Sequence, residues 1–342
     1  MEPMTDTTGA EASAGLKVVA LSSTRLQQIQ YRYALATMLV PLLATLAAVA
    51  LLSVAPIGAV EISLFAVMYV LTSTGLTVGF HRHFAHRAFK AKPALTAALG
   101  ILGCMGAQGS PVYWAATHRR HHAFSEQEQD PHSPYVHEGQ PLGFWRGLWH
   151  SHLGWMLDSK MTNTVAFAKD LIRDPLIARI NAHYSLWVVL GLAIPMVLGG
   201  LLTRSWMGAL TGLLWGGFVR MFCVHHLMWT SGSTAHMLGT RPFETRDASR
   251  NNIVLALPNF GEAWHNNHHA FPGSAMFGLR WWQVDPGGWI IRLFVALGWA
   301  WDLRVPTAEA MQTKRRQNEP QARLGPRIFY PRSATASRPE PR

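Results

Sequence analysis

Two stretches near the N-terminus carry almost no charge. Residues 34–54 hold none in 21 positions, and 57–78 are apolar apart from Glu61. Each approaches the roughly 20 residues that cross hydrocarbon as an α-helix. Pro56 and Gly58 at the junction permit a tight hairpin. The pattern recurs at 184–202, uncharged over 19 positions, and at 206–228, apolar except for Arg220 and the pair His225 and His226. Thr203, Arg204 and Ser205 join these two segments. The predicted fold is all-α and integral to a membrane, with four transmembrane helices in two hairpins. Arg220 is expected to snorkel to the interface, so that the fourth helix runs on beyond the bilayer.

Two further apolar stretches are read as non-spanning. Residues 94–116 are uncharged and long enough to cross, but Gly109, Ser110 and Pro111 should break them into a buried or interfacial helix. Residues 289–301, aromatic and apolar around Arg292, predict an amphipathic helix on the membrane surface. Residues 1–30 read as a partly disordered N-terminal segment, 31–306 as the membrane domain, and 307–342, rich in Arg, Pro, Gln and Ser, as a basic disordered tail. Met1 to Gly15 lack a basic region followed by an apolar core, so no cleaved signal peptide is expected.

Composition supports lipid as the solvent, since 49% of residues are hydrophobic and only 14% charged, against about 25% charged in soluble proteins. The net charge of +11 lies in blocks between apolar stretches, which excludes a nucleic-acid surface and instead sets orientation. Eleven Lys and Arg fall between Gly79 and His183, whereas the hairpin links hold only Arg204. Both termini and the central segment are therefore expected in the cytoplasm, with the plasma membrane as the location in a prokaryote. Cys104 and Cys223 have no ligand spacing and read as core residues without a disulfide.

Nine of the 17 histidines form three tight groups: His81, His83 and His86; His118, His121 and His122; His265, His268 and His269. The last two share the spacing H-x-x-H-H, which on a helix brings three imidazoles to one face. His81 and His86 are five apart, about 140° around an ideal helix, so the helix should end or bulge there. All three groups follow apolar stretches onto the cytoplasmic side, where a helical cap would hold a histidine-ligated two-metal site. Imidazole suits Zn, Cu, Fe and Ni and not Mg or Ca. A mononuclear zinc site takes about four ligands, so eight or more histidines imply two metals. Many imidazoles around a redox metal beside lipid suggest dioxygen chemistry on an apolar substrate. The scattered His132, His137, His150, His152 and His183 read as structural, and Arg82, Arg87, Arg119 and Arg120 as a candidate phospholipid-headgroup patch.

The segments His81-Arg82-His83-Phe84-Ala85-His86-Arg87, His118-Arg119-Arg120-His121-His122-Ala123-Phe124 and Gly261-Glu262-Ala263-Trp264-His265-Asn266-Asn267-His268-His269-Ala270-Phe271-Pro272 resemble the three histidine boxes of the membrane fatty acid desaturases. Within them, the resemblance is to the acyl-CoA (stearoyl-CoA type, delta-9) subgroup. Asp130-Pro131-His132, Ser151-His152-Leu153-Gly154-Trp155 and Ser233-Thr234-Ala235-His236 extend it, over roughly residues 30 to 306. It implies a non-haem di-iron centre with His81, His86, His118, His121, His122, His236, His265, His268 and His269 as ligands, leaving His83 out. Two departures stand out: Gly232 replaces the usual Asn four residues before His236, and Ala116 and Thr117 replace an Arg-Asp pair near the CoA.

The activity the resemblance implies is O2-dependent desaturation of a saturated fatty acyl thioester, with acyl-CoA as first choice. A carrier-protein thioester or a phospholipid are the other carriers, and electrons come from a ferredoxin-type or cytochrome partner. Glu262 and Asn266 are expected to orient ligand imidazoles, and Trp114, Trp155, Trp229 and Trp264 to line a substrate tunnel. Lipid or alkane hydroxylation by the same centre competes with this reading. Metal transport fits poorly, because the spans offer only Glu61 as an internal ionisable ligand.

Overall fold

The computed structural model describes residues 19–21, 23–158 and 160–315. Among these, four helices are long and apolar enough to cross a bilayer: Thr24–Ser53, Ala59–Ala85, Tyr184–Thr203 and Trp206–Met237. Each hairpin thus links two spans in sequence, and the outward apolar residues, such as Leu43, Val49, Val189 and Leu201, remain exposed as lipid contact requires. Three spans outrun their apolar stretches at one end. The first starts at Thr24, and Gln30 in its extension donates to the carbonyl of Asp158 at 2.9 Å. The second and fourth run on to carry His81 and His236.

Small residues let the third and fourth spans approach closely. A Cβ on Gly199 would lie 2.2 Å from the carbonyl oxygen of Gly208 and 3.0 Å from the Cα of Gly212, so only glycine permits this crossing. The second span changes winding where chemistry begins. Ala59–Thr74 is α-helical, and Gly75–Ala85 is π-helical. The His86 amide accordingly bonds to the His81 carbonyl, five residues back, at 3.1 Å. This is the bulge that the five-residue spacing required.

Arg220 departs from expectation. It does not snorkel but is fully buried, donating to the carbonyls of Met105 at 2.8 Å, Gly191 at 2.9 Å and Gly216 at 3.1 Å. Two of these carbonyls are orphans by construction. Pro195 has no N–H to offer Gly191 four residues back, and Met105 ends the helix Pro93–Met105. The guanidinium caps backbone that lipid cannot satisfy.

The uncharged stretch 94–116 divides into the helices Pro93–Met105 and Pro111–Phe124, with Pro111 in the first turn of the second. The surface helix near the C-terminus is shorter than its apolar pattern. It spans Pro286–Ala296, turns at Gly298 with φ of +66°, and leaves Ala300–Trp301 as a strand paired with Lys90–Ala91. The basic arginines are not a headgroup patch. Arg82 and Arg120 are buried, and Arg82 pairs with Asp285 at 2.7 Å. Arg119 grips Asp170 at 2.6 Å, and only Arg87, paired with the same carboxylate, is mostly exposed. Within the segment read as tail, Ala308–Thr313 is helical and the Lys314 ammonium donates to the carbonyl of Ala270, beside the third histidine group. The rest of that tail and of the N-terminal segment, 316–342 and 1–18, lies outside the described residues.

Candidate metal centre

The π-helical end of the second span supplies His81 and, just past it, His86. The helix Pro111–Phe124 supplies His118, His121 and His122; the short helix Thr234–Met237 supplies His236; and His265–Ala270 supplies the last three. That last helix is too short to stand alone. It is fixed by Asn267, which accepts from Asn251 at 2.7 Å and donates to the Phe277 carbonyl at 2.7 Å and to Gln283 at 3.0 Å.

The nine imidazoles sort into two nests. His81, His86, His118, His122 and His268 form one, and His121, His236, His265 and His269 the other; within each, the donor atoms lie within 4.8 Å of one another. In the first nest Nε2 of His81 and of His268 are 3.0 Å apart, those of His86 and His118 2.8 Å, and those of His122 and His268 2.8 Å. In the second, Nε2 of His236 and His265 are 3.0 Å apart. Bonds of roughly 2.1 Å to one ion at right angles put ligand nitrogens roughly 3 Å apart. The spacing fits a metal.

Proton positions argue the same way. His81 Nδ1 faces Glu262, His121 Nδ1 faces Asp130 at 2.9 Å, His236 Nδ1 faces Glu126 at 2.9 Å, and His269 Nδ1 faces Asp247 at 2.7 Å. A carboxylate acceptor keeps the proton on Nδ1 and leaves Nε2 as a bare lone pair aimed inward. Buried Nε2 atoms of His121 and His269 have no partner among the described residues, which an ion would supply. Burial and then the neighbouring imidazoles push His118, His122, His265 and His268 well below the ordinary histidine range, and His86 to about 3. They are neutral at physiological pH, as ligation demands.

His83 stays outside both nests, bonded to Thr96 at 3.1 Å and to the Phe89 carbonyl at 3.2 Å. Glu262 meets an imidazole as expected. Asn266 does not: it bonds the backbone of Phe243 at both its N–H and its carbonyl, because its side chain points away from the donors. Gly232 borders His132, and this histidine, read as structural from sequence, stacks on His121 at 4.3 Å. Glu126, Asp130 and Asp247 are the partners that sequence reasoning did not single out. Asp130 had a signal in its position after the second group, whereas Asp247 has no spacing relation to the histidine it serves.

Against both nests opens an apolar cavity of about 500 Å³, reaching from His81, His118, His121 and His265 to Ile29, Tyr33 and Thr37 of the first span. Trp114, Trp155 and Trp229 line it. Trp264 does not. It is buried beside Ala256, Ala263 and Phe277, and its indole N–H donates to the Val284 carbonyl at 2.7 Å, which turns it away from the cavity.

The family profile described as fatty acid desaturase matches residues 59–304, which contain both nests and three of the four spans entire. The chain belongs to the fatty acid desaturase family. Among its relatives is a hex-5-enoyl-[acyl-carrier protein] acetylenase of Moorena producens (strain JHB), 47% identical over 87% of this chain and 94% of that protein. The delta-9 acyl-lipid desaturase 2 of Arabidopsis thaliana is 37% identical over 70% and 73% of the two chains, and the sn-1 stearoyl-lipid 9-desaturase of Anabaena variabilis 33% identical over 69% and 81%. Membership makes this chain an oxidoreductase of fatty acyl chains in a membrane, in a family that uses a di-iron centre.

Proposed function

We propose that this enzyme introduces a double bond, at the delta-9 position, into a saturated fatty acyl chain carried as a thioester. The observation that carries the reading is an apolar cavity ending on two nests of buried imidazoles. His81, His86, His118, His122 and His268 would hold one iron, and His121, His236, His265 and His269 the other. When bound, the irons supply the redox chemistry: O2 accepts two electrons and two protons from adjacent CH2 groups and two of each from outside, leaving as two waters.

The chain's own residues set position and proton state. Glu262, Glu126, Asp130 and Asp247 hold the Nδ1 protons of four ligands. Trp114 and the cavity walls exclude water and fix which carbons face the nests. For the carrier, a protein thioester is favoured over CoA, because a 47% identical relative is named for an acyl-carrier-protein substrate and Ala116 and Thr117 offer CoA no charge. Electrons come from a separate ferredoxin-type or cytochrome donor. Both termini face the cytoplasm.

The same relative favours a second reading, oxidation of an alkene to an alkyne. The cavity volume argues for the first, since about 500 Å³ lies in the range of drug-sized ligands and a six-carbon chain would leave much of it empty. Gas chromatography with double-bond localisation, on lipids of a host lacking the activity, tests the assignment. New delta-9 monoenes are expected; hydroxylated or acetylenic chains in their place would overturn it. Purified enzyme given acyl-carrier-protein and acyl-CoA substrates in parallel decides the carrier.

A further inference from the structure

We propose that His137, His150 and Asp158 form a separate metal site on the cap, taking one divalent ion of the zinc type. Their donor atoms lie within 4.8 Å of one another, and the site shares no residue with the nine-histidine centre. The imidazole rings of His137 and His150 have centroids 4.2 Å apart, and His137 Nε2 is 3.6 Å from Asp158 Oδ1, too long for a hydrogen bond. Tetrahedral bonds of roughly 2.1 Å separate donors by roughly 3.4 Å, so the three need little movement to share an ion. Two imidazoles and a carboxylate select zinc, cobalt, nickel or copper over magnesium or calcium.

Three successive elements build the cluster. His137 sits on a hairpin of Val136–His137 against Gln140–Pro141. The two residues between, Glu138 with φ of +49° and Gly139 with φ of +72°, both adopt the left-handed region that a tight type I′ turn requires. His150 lies in the last turn of the helix Phe144–His152 and is buried, which holds its pKa down at about 4 and its ring neutral. Asp158 closes the 3₁₀ turn Gly154–Leu157. The side chains of His137 and Asp158 are 32% and 30% exposed, so an ion can enter from solvent and keep water as its fourth ligand.

The ion would tie the hairpin to a turn that walls the substrate cavity. Trp155 and Met156 of that turn line the cavity, and the Asp158 carbonyl is held by Gln30, a cavity residue of the first span. The site is thus placed to stiffen this wall without touching the reacting carbons.

Zinc binding to iron-loaded, detergent-purified full-length protein tests the proposal, with zinc and iron both counted by mass spectrometry. The wild type should retain one zinc per chain more than Asp158→Asn, with iron unchanged, and His137→Gln should bind it at least tenfold more weakly. These variants alter partly exposed side chains, avoiding the folding risk of replacing buried His150. Equal zinc retention in wild type and both variants would overturn the site, as would zinc taken up only at the expense of iron. Hydrogen exchange gives a readout independent of stoichiometry: zinc should slow the amides of 136–141 and 153–158 in the wild type and not in Asp158→Asn. Unchanged exchange in the wild type would refute the tie between hairpin and turn.

Discussion

His132 Nδ1 lies 3.0 Å from the point a Cβ on Gly232 would occupy. This nitrogen is buried without a hydrogen-bond partner among the described residues, 3.9 Å from Asp130, and its ring covers that of His121. The missing side chain at 232 and the imidazole at 132 therefore occupy one volume between them. Gly232→Asn should displace His132 from its stack and lower desaturation about tenfold, equivalent to about 1.4 kcal/mol in the barrier. His132→Ala combined with Gly232→Asn should recover most of that loss. Product yield by gas chromatography measures both; a single variant as active as wild type would mean that the two side chains do not compete.

His268 makes two of the short Nε2 contacts in the first nest, to His81 and to His122. His268→Ala should abolish activity and reduce bound iron from two to about one per chain, with membrane insertion intact. Two irons retained per chain would remove His268 from the ligand set.

Asp247 acts through another residue, holding His269 Nδ1 at 2.7 Å. Burial raises its pKa, but the hydrogen bonds from His269 and Ser249 outweigh this and keep the carboxyl ionised. Asp247→Asn retains the shape and loses the charge. Such partners typically carry 10–100-fold in metal affinity, so iron should leave this variant about that much faster under chelator challenge. Iron loss at the wild-type rate would assign Asp247 to packing alone.

The metal-free protein should weaken in acid. Burial, then nearby imidazoles, lower His86 and His132 to about 3 and His122 and His268 well below normal, whereas unfolded histidines titrate near 6.5. Below about pH 6.5 the unfolded chain binds more protons, so stability is full above that value and falls as pH drops toward the folded pKa values. Melting temperature in detergent should decline steadily from pH 7 to 5 without metal. A flat profile in the metal-free form would contradict neutral buried rings.

The spans and eight of the nine nested histidines were legible because each rests on a local pattern: an apolar run of bilayer length, or imidazoles three to five residues apart. His236 needed the family resemblance, since nothing near it in sequence marks it. What escaped depends on long-range pairing. Arg220 reads as an interfacial residue until Pro195 and Met105 are seen to leave carbonyls beside it. Asp247 and Glu126 serve histidines 22 and 110 positions away, at separations that no periodicity encodes. Trp264 failed for a related reason, because an indole beside a ligand has two sides, and Val284 decided which one faces the cavity.

The π-helical stretch Gly75–Ala85 has a consequence for how this sequence tolerates length change. Removing one residue between Gly75 and Phe80, with a return to ordinary winding, would leave His81 and His86 about 140° apart around the helix and carry His86 away from His81. Loss of one residue in the hairpin link near Val54 would shorten a turn and leave that alignment alone. The second span is therefore phased like a gear, and its tooth count is under as much constraint as the chemistry of any tooth.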